Sequence, residues 1–240
     1  IGYVRKIASE LEGKVRLNSR IHKVIRQPEG VIIEDLHGVR EYYDDIVLAC
    51  HADQALALLD QPSPEEQKLL SSFPYQRNQA FLHLDQSLLP KDRKTWSSWN
   101  YMASGNGRND RRVSVSYWMN CLQPLPTKEP IIVSLNPLNE PAPDMMIRSF
   151  FYDHPAFGRD SLVNQQKLWN LQGHQHTWFC GAWFGYGFHE DGIQSGLAVA
   201  EQLGGIPRPW QLEEPNSRIF VTNLSTKDKN DSDHLEQANG

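Results

Sequence analysis

Apolar residues recur four apart at Tyr3, Ile7 and Leu11, with Val4 and Ala8 beside them, and predict an amphipathic helix stopped at Gly13. Residues 15–17 and 21–26 then read as strand, Pro28-Glu29-Gly30 as a turn, and residues 31–33 and 39–43 as a short meander around His37-Gly38. Residues 46–50 are apolar on both faces behind Asp44-Asp45, the pattern of a strand buried in a parallel sheet. A short helix follows at 52–59. The next helix has a full start signal: Ser63 caps it, Pro64 suits the first helical position and Glu66 closes a capping box.

Beyond residue 72 the pattern changes to strands, at 79–85, 95–102, 112–120, 131–136 and 146–152, joined by Gly- and Pro-rich connectors. This predicts a mixed or antiparallel sheet distinct from the α/β material on either side. Residues 160–172 read as a helix with Asp160 as its cap, and 177–180 as a short buried strand. A glycine-rich aromatic loop, 181–191, leads into a helix at 192–203 opened by Gly192. From about Thr222 the chain is polar and predicts a disordered tail.

Composition narrows the class. The chain has 240 residues, 39% hydrophobic and 22% charged, enough for a real core, and wholesale disorder is excluded. The longest apolar stretch is broken by His51, Asp53 and Gln54, far short of the roughly 20 residues that span a bilayer, so no transmembrane segment is expected. A net charge of −5 argues against a nucleic-acid partner. Arg108, Arg111 and Arg112 form a local basic patch that reads as a solvated hairpin. Cys50, Cys121 and Cys180 are odd in number and widely spaced, which points to a reducing compartment and a cytoplasmic location. Because Ile1 already lies in a helical pattern, the chain reads as a piece of something longer.

The stretch FCGAWFGYGFHEDGIQSGLAVAEQL (179–203) carries the most chemistry. Strand, glycine loop and helix succeed one another, and free amides at a helix start opposite a residue without a Cβ suit an anionic group such as a diphosphate. Taken alone, such a loop is equally compatible with helix packing. Trp183, Phe184, Tyr186 and Phe188 suit stacking on a planar ring. Trp96, Trp99, Tyr101, Tyr117 and Trp118 fall on strands whose faces stay open; sheet core is favoured over the lining of an apolar cavity. His174, His176 and His189-Glu190-Asp191 lack metal-ligand spacing, so no metal is expected. There is no G-x-S-x-G elbow, and Cys50-His51 are poorly placed as a nucleophile–base pair.

Together with VRLNSRIHKVIR (15–26), YDDIVLACHADQALALL (43–59), TWSSWNY (95–101) and VSVSYWMN (113–120), this stretch resembles the C-terminal half of the flavin-containing amine oxidoreductase superfamily, closest to bacterial predicted FAD/NAD-binding oxidoreductases. The resemblance covers about residues 1–205 and implies FAD as cofactor. It places Ile21 at the adenine edge and Ala49 at the end of a strand near the dinucleotide. Gly181 and Ala182 fall by the ribityl and phosphate region, and Asp191, Gly192 and Ile193 at the helix start facing the diphosphate and isoalloxazine edge.

Two departures matter. The G-x-G-x-x-G fingerprint that cradles the diphosphate in such folds is absent, so the chain would supply only part of the cofactor site and be inactive alone. The lysine that amine oxidases of this superfamily carry near the flavin is also missing; that strand reads RNQAFLHLD, with Asn78 and Gln79 in the region.

The resulting expectation is an α/β (α+β) fold. Residues 1–60 and 174–205 form a partial FAD-binding, glutathione-reductase-like Rossmann domain lacking its first βαβ unit. Residues 61–173 form a mixed-sheet substrate domain, and 206–240 an extension. The activity implied is oxidation or desaturation of a small, apolar, amine or acyl/lipid-like substrate by hydride transfer to flavin, with a missing N-terminal dinucleotide-binding unit as partner. The alternative is a non-catalytic remnant or interaction module of the same fold.

Overall fold

The computed structural model describes residues 2–11, 13–104 and 112–222, and these divide into two compact units. The tail beyond Thr222, and Arg108 and Arg111 of the basic patch, lie outside the described residues.

The first unit contains the described residues up to Pro74 and from Phe157 onward. Helix α1 (Gly2–Glu10) forms where the stripe predicts it, yet Tyr3, Val4 and Ile7 stay exposed. Residues 15–17 join no strand, and Leu17 is exposed. Strands β1 (Ile21–Gln27), β2 (Gly30–Asp35) and β3 (Arg40–Tyr43) make the antiparallel meander, in register at Val24↔Ile33 and Ile32↔Tyr42. Val24 and Val31 are fully buried beneath it. Strand β4 (Ile46–Leu48) leads into α2 (Ala52–Leu58) and α3 (Pro64–Leu70). The capping box of α3 is present: the Glu66 amide donates to Ser63 Oγ at 3.2 Å, and the Ser63 amide donates to Glu66 Oε2 at 2.6 Å. The Glu66 Oε1 atom receives Arg26 Nη1 of β1 at 2.5 Å, and both side chains are more than nine-tenths buried.

The expected boundaries at residues 61 and 173 fall inside this unit, because the flanking helices pack with it. Ser161 Oγ donates to Ser72 O at 2.6 Å, and Phe73 and Trp169 are buried in its core. The helix expected over 160–172 is shorter. Helix α5, as numbered along the chain, is Arg159–Gln165; Gly158 rather than Asp160 takes the cap position, and the rest tightens into a 3₁₀ turn at Leu168–Leu171.

The second unit is Tyr75–Ala156. Its strands are β5 (Tyr75–His83), β6 (Trp99–Ser104), β7 (Arg112–Trp118), β8 (Ile132–Leu135) and β9 (Met146–Pro155), with a short helix α4 (Met119–Leu122) after β7. They form one antiparallel sheet in the order β6-β7-β8-β5-β9. Strand alternation sends Phe81, His83, Ser116, Ile132 and Ser134 to a buried face, while Trp99, Tyr101 and Tyr152 lie exposed on the other. This separates the tryptophans: Trp96 and Trp118 pack edge to face at 5.4 Å, whereas Trp99 meets Tyr117 on the open face.

A polar chain crosses the buried face. The Asp85 amide donates to His83 Nδ1 at 3.1 Å, which assigns the imidazole proton to Nε2. His83 Nε2 lies 2.9 Å from Ser134 Oγ, and Ser134 Oγ lies 2.7 Å from Ser116 Oγ. Burial pushes the His83 imidazole below its ordinary value of 6.5. The unfolded chain therefore takes up a proton that the folded one refuses. The stability contribution is complete above 6.5 and is lost as pH falls through the depressed folded value. Thermal unfolding between about pH 7.5 and 5.5 is expected to fall more steeply for the wild type than for His83→Asn; parallel slopes would contradict the burial of a neutral imidazole.

Candidate functional site

Ligands of parallel α/β sheets bind beyond the carboxyl ends of the strands. Strand β10 (Thr177–Phe179) pairs in parallel with β4, in register Thr177↔Ile46 and Phe179↔Leu48, and the Cys180 amide donates to Leu48 O at 3.1 Å. The two strands therefore end side by side, with exposed Ala49 after one and half-buried Gly181 after the other. Burial raises the thiols of Cys50 and Cys180, so neither is a thiolate at neutral pH.

Gly181 is held on every side. Its amide donates to Ser195 Oγ at 3.0 Å, and Ser195 Oγ lies 3.1 Å from its carbonyl. Its φ is +152°, and a Cβ there would meet Trp183 Nε1 at 2.6 Å. The Trp183 ring cannot yield, being 3% exposed and bonded through Nε1 to Cys50 O. Gln165 grips the next stretch of loop, donating to Trp183 O and Gly185 O.

The last helix, α6, is His189–Gln202, so it opens three residues before Gly192. Asp191 is the cause. Its carboxylate, fully buried, turns back so that Oδ2 accepts from the Tyr186 amide at 3.0 Å and the Phe188 amide at 2.7 Å. Its Oδ1 accepts from Arg218 Nε at 2.6 Å. The side chain of Asp191 thus organises the loop, while Ile193 is exposed and Gly192 half-buried on the helix surface. The Gly187 amide is taken by Ala182 O, and the Asp191 and Gly192 amides by Phe188 O. The amides of Ala182, His189 and Glu190 have no hydrogen-bond partner among the described residues. A Cβ built on Gly192 would lie 3.6 Å from Ala182 N, so the glycine keeps open the space in front of that amide.

Ile21 stands on a separate groove of about 660 Å³ that it shares with Arg16, Glu41 and Val47 of β4. Arg16 forks onto Glu41, Nη1 and Nη2 each at 2.6 Å from a carboxylate oxygen, and its hydrogen bonds hold the Glu41 carboxyl down to about 2.

The open space beside Gly192, the unpaired amides near it and the strand ends at Ala49 and Gly181 are groups that suit a dinucleotide such as FAD. Gln165, Ser195 and Arg218 hold this loop through contacts that the sequence pattern does not reveal: each reaches across at least 14 residues of chain. Among the described residues, no group of three His, Cys, Asp or Glu side chains could hold a metal ion, and no helix is long and apolar enough to cross a membrane.

In the second unit, Asn78 occupies the strand where the lysine is missing. Asn136 Nδ2 donates to its Oδ1 at 2.7 Å, and its own Nδ2 lies 2.8 Å from His154 Nδ1. Asn78, Tyr152 and His154 share the open face with Trp99 and Tyr101.

Residues 2–130 match the model of a family described as flavin containing amine oxidoreductase. Among solved structures, a CLA-producing fatty acid isomerase from P. acnes matches over 84% of this chain and 51% of its own, with a TM-score of 0.57 at 15% identity. A putrescine oxidase variant redesigned in cofactor binding matches over 83% of this chain and 51% of its own, with a TM-score of 0.56 at 9% identity. A reduced UDP-galactopyranose mutase matches over 82% and 48%, with a TM-score of 0.51 at 11% identity. The chain spans about half the length of these structures, and at such identities the likeness is one of fold. None of the curated proteins matches it.

Proposed function

The chain belongs to the flavin containing amine oxidoreductase family, and from that premise we propose that it forms the C-terminal part of an FAD-dependent oxidoreductase acting on a small or apolar substrate. The family implies FAD as the cofactor and redox chemistry as the kind of reaction. FAD, when bound, supplies the electron sink that accepts a hydride equivalent from a C–N or C–C bond. The chain's residues supply position and electrostatics.

The observation that carries this reading is the meeting of two parallel strand ends with a helix start whose nearby amides are unpaired. The amides of Ala182, His189 and Glu190 would donate to the diphosphate, helped by the positive end of α6. Gly181 and Ala182 would follow the ribityl chain, Gly192 and Ile193 the ring edge, and Ala49 the strand-end wall. The groove beside Ile21 would take the adenine end. In the unit of residues 75–156, the open sheet face with Trp99, Tyr101 and Tyr152 would meet an apolar or acyl body. Asn78, a neutral hydrogen-bonding group in place of a lysine, favours such a substrate over an amine.

A separate dinucleotide-binding unit would provide the missing fingerprint, leaving the chain inactive alone. Titration with FAD, followed by flavin absorbance, tests this on the chain alone and on a form extended upstream by such a unit. Retained FAD only in the extended form supports the reading. None in either form overturns it in favour of the non-catalytic remnant.

Gly192→Ala separates cofactor binding from packing. In a helix interior the change stabilises by up to about 1 kcal/mol, and its Cβ meets Ala182 N only at ordinary contact distance, 3.6 Å. Unchanged or raised thermal stability is expected, with FAD affinity lowered at least about tenfold by loss of a close amide contact. Equal affinity would remove Gly192 from the site.

A further inference from the structure

The segment after α6 returns along the helix as a strap with a clamp at each end. At the carboxyl end, Arg208, 7% exposed in its side chain, forks onto Glu201 at 2.7 and 3.0 Å, and also donates to Pro215 O and Asn216 Oδ1. At the other end, Ile219 is buried, the Arg218 amide donates to Gln194 Oε1 at 3.1 Å, and the Arg218 guanidinium reaches Asp191. The clamped residues Asp191 and Glu201 are ten residues apart on the helix, about 15 Å along its axis.

The two clamps differ in what they touch. Arg208 meets only the helix end and the strap itself. Arg218 closes the carboxylate that holds the Tyr186 and Phe188 amides, and its guanidinium lies 5.2 Å from the Tyr186 ring centroid and 5.7 Å from that of Phe188. Asp191 is fully buried, so its charge is little screened. Unneutralised, it would repel an anionic group arriving at the start of α6 and cancel the benefit of the helix dipole.

We propose that Arg218 is a positioning residue for the cofactor-facing loop: by neutralising Asp191 and bracing Tyr186 and Phe188, it sets the affinity of residues 181–192 for the diphosphate of FAD. This rests on the flavin reading above. Arg218, unlike Arg208, therefore acts on the binding loop, although it contributes no group to the ligand.

The test measures the FAD dissociation constant by flavin fluorescence, in the form of the protein that retains FAD, alongside thermal unfolding without FAD. Arg218→Gln is expected to weaken FAD binding roughly 10- to 100-fold, the range for loss of a charged hydrogen bond. Arg218→Lys, which keeps the charge without the fork, should restore part of the affinity. Arg208→Gln loosens the far clamp and should lower the unfolding temperature with FAD affinity unchanged. Wild type that binds no FAD defeats the flavin reading itself. Wild type that binds FAD, with both Arg218 variants binding equally well, overturns the positioning role and leaves the flavin reading standing. Equal losses in the Arg208 and Arg218 variants also overturn it, since the strap would then act only through general stability. If Arg218→Gln does not fold, Arg218→Lys decides: wild-type affinity or none of the expected partial loss overturns the proposal.

Discussion

Asp191→Ala is expected to lower the unfolding free energy by about 3 kcal/mol and to disorder the loop that precedes α6. The carboxylate serves three donors at once: the Tyr186 and Phe188 amides on one oxygen and Arg218 on the other. Removing it leaves two backbone amides without their acceptor and releases Arg218, which the carboxylate holds. Gly185 shows how tightly the site is built, since a Cβ there would meet Asp191 Oδ1 at 2.6 Å. Asp191→Asn keeps one acceptor and the shape, so it should cost less than half as much. Urea unfolding of both variants measures the difference. A loss below about 1 kcal/mol for the alanine variant would mean that water replaces the carboxylate freely.

Glu66→Ala is expected to cost about 3–5 kcal/mol, because it leaves the Arg26 guanidinium buried without its counter-charge. The pair ties α3 to β1: Arg26 also donates to Gln61 O, and Glu66 keeps the capping box of its own helix. A buried pair is a weak net stabiliser, however, and the cost belongs to the orphaned charge. The double variant Arg26→Met/Glu66→Leu should therefore recover most of the loss. Denaturant titration of the two proteins decides: a single variant within about 1 kcal/mol of wild type, or a double variant as weak as the single one, contradicts this balance.

Features written within a few residues were legible in the sequence. The Ser63–Glu66 capping box, the meander around Pro28 and His37, and the existence of a strand before Cys50 all rest on neighbours in the chain; that strand is not buried on both faces as its apolar run predicts, since Val47 is exposed. The start of α6 was misplaced because Phe188 is no capping residue by type; the cap comes from Asp191 reaching backward. The break between Gln165 and Leu168 was equally hidden, since Gln165 is drawn to the carbonyls of a loop nearly twenty residues away. Sheet faces were undecidable for the tryptophans because alternation gives parity, and only the partner strands reveal which parity is buried. At the candidate site, the succession of strand, glycine turn and helix that carries Gly181 and Gly192 was readable from the sequence. Arg218 and Ser195 were not, because their partners are chosen by the fold.

Amide hydrogen exchange of the protein with FAD bound and after FAD is stripped tests most directly whether this chain builds half of a flavin nucleotide site. Slowed exchange at Ala182, His189 and Glu190 on binding, with α3 unchanged, is the expected result. Bound FAD that leaves those three amides exchanging as fast as in the stripped protein would contradict it.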